Sequence, residues 1–151
     1  MSLYLILKTI HIAAIIAWIG GIVGLVVLVL LAGREEKPDL LAGIMRLSVQ
    51  FGQRVIGPFS GIALLAGIIL VATSPPRFMD FWVLYGFGGW AFHLVMGTTV
   101  LRRNGMELGR IAASPSPDRA ELARVLQRQK TLAMFYLLVM LTVVWVMVAK
   151  P

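Results

Sequence analysis

The first apolar stretch of the chain, residues 3–31, decides the fold and reads LYLILKTIHIAAIIAWIGGIVGLVVLVLL. Only Lys8 and His11 interrupt it with a basic side chain. A helix needs about 20 apolar residues to cross the hydrocarbon layer of a bilayer. This stretch is longer than that, and it is also too long for the apolar region of a cleavable signal peptide. It therefore predicts a retained membrane span.

Three more apolar stretches follow, at about residues 55–73, 81–101 and 131–148. Asp80 is placed to cap the third stretch, and Asp118 to cap a basic helix, residues 119–130, that runs into the fourth. Residues 40–53 look helical and lead into the second stretch, and the Ser-Pro-Pro sequence at 74–76 ends it. We predict a single all-α transmembrane domain over residues 1–151, an integral membrane four-helix bundle.

Composition agrees with a membrane protein. Hydrophobic residues make up 59% of the 151 residues and charged residues 14%, against about 45–50% and about 25% in soluble domains. The net charge of +7 is concentrated between apolar stretches, which indicates membrane orientation and not a nucleic-acid partner. The chain has no cysteine, so thiolate metal sites, iron–sulfur clusters and c-type haem attachment are excluded.

The basic residues predict which way the chain crosses the membrane. Two groups lie between spans one and two and between spans three and four: Arg34, Lys37, Arg46 and Arg54, then Arg102, Arg103, Arg110, Arg119, Arg124, Arg128 and Lys130. The other side holds Lys8, Arg77 and Lys150. Basic loops stay in the cytoplasm. We therefore expect a multi-pass protein of the bacterial inner (cytoplasmic) membrane, with basic cytoplasmic connectors and both termini outside (N-out/C-out).

His93 is the main candidate for a functional residue. It is the one ionisable residue deep in the third span, and such groups are costly in a membrane and usually functional. Gly89, His93 and Gly97 recur every four residues and so share a helix face. That face could offer a flat surface through which a porphyrin reaches an axial imidazole, or it could admit a neighbouring helix. Proton transfer is a further role open to His93.

His11 is the second candidate metal ligand, and it shares a helix face with Trp18. The helical rise puts His11 about 12 Å and His93 about 18–20 Å from the outer boundary. The sequence leaves three arrangements open. Both histidines could bind one iron, each could bind at a separate site, or only one of them could be a ligand. At the cytoplasmic edge, contact with lipid headgroups is the favoured role of Arg54, Arg102 and Arg103. The alternative role is to bind haem propionates, and Arg54 is the best candidate for it.

Residues 7–21, LKTIHIAAIIAWIGG, resemble the first span of a bacterial superfamily that includes HemJ-type protoporphyrinogen oxidases and CopD-type copper-resistance membrane domains. The resemblance lies in a histidine, a tryptophan seven residues later and a glycine pair. It implies a four-span fold and haem b at His11. HemJ-type enzymes carry a Trp-x-His-x-Lys-like cluster in the third span, whereas this chain has Trp90-Ala-Phe-His93 followed by Leu94. The resemblance therefore implies a haem-type site, and it gives less support to protoporphyrinogen oxidation.

The sequence is compatible with two functions. The first is a haem-b-binding membrane protein in electron transfer or porphyrin-related redox chemistry. The second is a non-catalytic accessory or assembly subunit of a larger membrane complex or a homo-oligomer, in which the small residues pack against other proteins. A copper or solute permease is disfavoured, because the spans offer few polar residues to line a path. The sequence leaves open whether the protein is an enzyme.

Overall fold

A computed structural model describes residues 3–34, 37–73 and 78–150. All regular structure in these residues is helical. The α-helices are α1 (Leu3–Ala32), α2 (Pro38–Phe51), α3 (Gly57–Thr73), α4 (Phe81–Val95), α5 (Arg102–Ala112) and α6 (Arg119–Ala149). The all-α prediction is confirmed.

Two π-helical turns join α-helices into longer ones. The turn Gly52–Ile56 connects α2 to α3, which gives one helix from Pro38 to Thr73. The turn Met96–Leu101 connects α4 to α5 in the same way. A π-helical turn widens a helix locally and is frequent at functional sites. The sequence predicted that residues 40–53 lead into the second span, which is confirmed, but it did not predict either π-helical turn.

The helix caps follow the sequence closely. Asp118 begins α6, because its carboxylate accepts hydrogen bonds from the backbone N–H of Ala120 at 2.9 Å and of Glu121 at 3.3 Å. The basic helix and the fourth apolar stretch are thus one helix, as predicted. Asp80 occupies the N-cap position of α4. The predicted break at 74–76, and Arg77 on the outer side, lie outside the described residues.

Within the described residues, three helices are long and apolar enough to cross a membrane: Leu3–Ala32, Pro38–Thr73 and Arg119–Ala149. The remaining predicted span, residues 81–101, corresponds to α4 and the π-helical turn after it, and it stays a prediction. The surfaces of the long helices carry large apolar side chains that no other part of the described chain covers, such as Ile16, Leu65 and Trp145, each more than 60% exposed. Such a surface suits contact with lipid.

The helices pack around two buried apolar clusters. The first contains Ala14, Ile22 and Met140, and the second contains Met45 and Leu108. Helix α1 packs along α3 and α6, α4 packs on α6, and α2 packs on α5, whereas α3 and α4 contact each other little. We call the end formed by α2, α5 and the start of α6 the connector end. Between α1, α2, α6 and the two π-helical turns, the packing leaves a space toward that end.

Candidate functional site

Three side chains from three helices meet in the interior, and we call them the histidine cluster: Trp18 of α1, His93 of α4 and Tyr136 of α6. The Trp18 Nε1–H donates to His93 Nδ1 at 3.3 Å, and the Tyr136 hydroxyl hydrogen-bonds the same nitrogen. The Trp18 ring meets the His93 ring edge-on, with centroids 4.8 Å apart, and the Tyr136 ring stacks on His93 at 6.0 Å. The cluster therefore ties α1, α4 and α6 together at one level.

The buried faces of the helices bring the cluster together. Trp18 lies between Ala14 and Ile22 on the inner face of α1, and Tyr136 lies one turn from Met140 on the inner face of α6. His93 is only 4% exposed. A buried polar group without a partner costs free energy, and a tyrosine hydroxyl or indole N–H in the interior normally finds one. Here the polar atoms satisfy one another.

The hydrogen bonds define two protonation patterns. An indole N–H can only donate, so His93 Nδ1 accepts from Trp18 and the neutral ring then carries its proton on Nε2. The Tyr136 hydroxyl lies against the same nitrogen and can either donate or accept. If Nδ1 carries the proton instead, that hydroxyl accepts from Nδ1–H, and Nε2 then has a free lone pair. The cluster can hold His93 in either state.

A cavity of about 460 Å³ starts at His93 and Tyr136 and runs toward the connector end. Its walls come from α1, α2, α6 and both π-helical turns, and most of the lining is apolar, including Ile22, Val26 and Ala133. This volume lies within the range of about 300–1,000 Å³ for small-molecule sites. Both widened turns therefore border the same space.

Polar groups lie at the far end of the cavity. Arg102 is the one residue with a permanent charge among the described residues that line it. The helical rise over nine residues puts Arg102 roughly 13 Å along the axis from His93. The Gln53 amide lies beside Arg102, and with its oxygen turned toward the guanidinium it accepts from Nε at 2.9 Å and from Nη2 at 3.3 Å. The hydrogen-bonding partners set this amide orientation.

His11 lies outside the cavity. Its Nδ1–H donates to the Ala63 carbonyl at 2.7 Å, and its ring lies against Gly67, where an added Cβ would come within 3.0 Å of Cε1. His11 thus links α1 to α3. Two helical turns, about 10 Å of rise, separate it from Trp18 in the histidine cluster. The structure gives the two histidines different partners and does not bring them together.

The two glycines of the predicted face have different surroundings. Gly97 lines the cavity beside His93, where an added Cβ would lie 3.7 Å from Cε1. Gly89 instead packs against Val143 of α6, whose side chain fills the space that a Cβ would take. Gly89 therefore admits a neighbouring helix, and Gly97 alone leaves open space next to the imidazole.

Arg54 also lies away from the cavity. It lines a second, more open groove between α1 and α2, together with Gly20 and Gly24. Of the three arginines that the sequence placed at this edge, Arg102 is the one that reaches the cavity.

Sequence reasoning missed Tyr136 and Gln129, which both line the cavity. They are seven residues apart in α6, so they lie two turns apart on the same face. Polar residues repeating at this spacing beside an apolar segment were the signal that could have identified them.

A double-mutant cycle tests the bond between His93 and Tyr136. We expect His93→Leu and Tyr136→Phe together to destabilise the protein less than the sum of the single changes. The difference should be about 0.6–1.7 kcal/mol, as for hydrogen bonds between membrane helices. The free energy of unfolding in mixed detergent measures it. Tyr85→Phe is the control, because Tyr85 bonds Thr142 instead, so its effect should add to that of His93→Leu. If the changes in the free energy of unfolding add in both cycles, His93 and Tyr136 are not coupled, which would contradict the hydrogen bond in the histidine cluster.

The comparisons with known proteins identify the family. Residues 5–151 match the family model described as "Predicted integral membrane protein (DUF2269)". No curated protein and no solved structure matches the chain. The match covers nearly the whole sequence and agrees with the long apolar helices. The chain therefore belongs to the DUF2269 family of integral membrane proteins.

Proposed function

We propose that this protein binds haem b in the cavity, with His93 as the axial ligand, and serves in electron transfer or porphyrin-related redox chemistry. The observation that carries the proposal is an imidazole at the inner end of an apolar cavity of about 460 Å³. An iron held in a porphyrin already has four nitrogen ligands, so one or two histidines from the protein suffice. No three His, Cys, Asp or Glu side chains group together in the described part of the chain.

The residues around His93 fit an axial ligand. A metal-bound histidine usually donates its second N–H to a partner that fixes its tautomer and its orientation. The Tyr136 hydroxyl is that partner at Nδ1, and the Trp18 ring packs edge-on against the imidazole. Gly97 borders the cavity beside the ring, where an added Cβ would lie 3.7 Å from Cε1 and 3.8 Å from Nδ1. In this role Trp18 and Tyr136 are positioning residues for the His93 ring.

Bound haem b would supply one-electron chemistry between its ferric and ferrous states. The chain's own contribution is the surroundings. The apolar walls, such as Ile22 and Val26, exclude water, and burial together with hydrogen bonding to the ligand tunes a haem potential. Tyr136 can also hold a proton at Nδ1 of His93. His11, outside the cavity, is assigned to the contact between α1 and α3.

We also propose that the chain crosses the bacterial inner membrane four times, with both termini outside. Residues 81–101 are apolar through α4 and the π-helical turn, and at 1.5 Å per residue they cover about 30 Å, the thickness of the hydrocarbon layer. The basic residues of α5 and the start of α6 lie at the connector end, which this orientation puts in the cytoplasm. The cavity then opens toward the cytoplasmic side.

A second function, a non-catalytic subunit of a larger membrane complex or a homo-oligomer, has one observation in its favour. Gly20 and Gly24 line the groove between α1 and α2, and an added Cβ at either would meet nothing within 4 Å. Small residues of this kind let another helix approach closely in lipid. This function predicts a protein without a coloured cofactor, so the same experiment separates the two.

Visible spectroscopy of the purified protein tests the haem proposal. In mild detergent and with haem supplied, we expect a Soret band and sharp reduced α and β bands for the wild type. His93→Gly should lose the bands, because it removes the axial ligand, and added imidazole should restore them. His11→Ala is the matched histidine control and should keep them.

Two results would contradict the proposal. A wild-type protein that stays colourless after haem is supplied would favour the accessory-subunit function. Bands that survive in His93→Gly but disappear in His11→Ala would move the ligand to the other histidine, outside the cavity.

The absence of cysteine makes the topology simple to test. Ser114→Cys, between α5 and α6, and Lys150→Cys, after α6, each introduce a single thiol. In spheroplasts, a membrane-impermeant maleimide should label Lys150→Cys directly and Ser114→Cys only after lysis. Labelling in the reverse order would contradict the orientation.

A further inference from the structure

The end of the cavity opposite His93 carries a cation. Arg102 is the first residue of α5, directly after the π-helical turn Met96–Leu101. Gln53 belongs to the other π-helical turn, and its amide oxygen can accept from both Nε and Nη2 of Arg102. The two widened turns are thus joined across the end of the cavity by a neutral amide and a guanidinium.

Arg102 is an exposed residue that also lines the cavity. The contact with Gln53 brings no negative charge to it, and the cavity lining supplies none either. No aspartate or glutamate is among the described residues that line it. The amide of Gln53 uses only part of the guanidinium, which has five N–H donors in a planar fork. The remaining N–H groups match the geometry of a carboxylate, which binds a guanidinium with two parallel hydrogen bonds.

We infer that Arg102, oriented by Gln53, binds a carboxylate of the cavity's ligand and so fixes which end of that ligand points at His93. The ligand class is a planar, apolar tetrapyrrole that carries carboxylates on one edge. This inference rests on the proposed function and deepens it. The apolar body lies along the walls toward the histidine cluster, and the carboxylate edge stays at the connector end, where water and cations reach it.

The alternative use of Arg102 is contact with the phosphate of a membrane lipid. The position of Arg102 favours the cavity ligand, because Gln53 ties its guanidinium to the opposite side of the cavity end. Arg102 and Arg103 are both exposed, but of the two only Arg102 lines the cavity. The pair Arg102 and Arg103 therefore provides a site variant and a matched control with the same charge change.

The test compares ferric haem with its dimethyl ester, which lacks both carboxylates. Titration of the detergent-purified protein, followed by the Soret band, gives the affinity for each ligand. We expect the wild type to bind the free acid roughly tenfold to a hundredfold more tightly than the ester, the range for hydrogen bonds between charged groups. Arg102→Gln should lose that preference and bind the ester as the wild type does. Arg103→Gln should behave as the wild type.

The titrations distinguish a failure of this inference from a failure of the proposed function. Equal binding of acid and ester by the wild type would overturn this inference and leave the haem site standing. No binding of either compound by the wild type would overturn the proposed function, and this inference with it. If acid and ester bind alike while vesicles of anionic phospholipid bind the wild type more tightly than Arg102→Gln, the arginine binds a headgroup and the inference is wrong. Unchanged elution on gel filtration shows that each variant folds.

Discussion

The hydrogen bonds among Trp18, His93 and Tyr136 are the constraint on which the interior depends. In an apolar interior no water can satisfy an indole N–H, an imidazole and a phenol, so each must find a protein partner. Meeting at one point satisfies all three and fixes the level at which α1, α4 and α6 pack. Most of the other buried side chains of these helices are apolar, and their contacts are less directional. Polar groups therefore specify the arrangement that apolar packing stabilises.

The cavity is the second consequence of this arrangement. The two π-helical turns widen their helices where both of them border the cavity. Space therefore opens between the histidine cluster at one end and the pair Arg102 and Gln53 at the other. An apolar chamber with an imidazole at one end and a guanidinium at the other suits a flat, apolar ligand with an anionic edge. Under the proposed function, both ends of the site act on one molecule.

The sequence predicts what depends on local composition and leaves open what depends on packing between helices. Apolar stretches and the Asp118 cap revealed the helices, because span length and capping are local properties. Gly89 and Gly97 look alike in sequence, yet one contacts Val143 and the other borders the cavity. The sequence also did not reveal that Tyr136 on α6 is the partner of His93. The composition of one helix does not specify which turn of another helix it contacts. The π-helical turns, which have no simple composition signal, decided which arginine reaches the cavity.

The haem b content per chain of four purified proteins tests directly whether the cavity is the haem site: wild type, Gly97→Leu, Gly97→Ala and Gly61→Leu. Gly97→Leu fills the cavity beside His93 without touching the ligand itself, and Gly97→Ala keeps the space, since its Cβ would lie 3.7 Å from the ring. Gly61 is the control, because an added Cβ there meets nothing within 4 Å. We predict stoichiometric haem in the wild type, Gly97→Ala and Gly61→Leu, and little in Gly97→Leu. Equal haem content in Gly97→Leu and the wild type, or none in the wild type, would contradict the assignment of the cavity as the haem site.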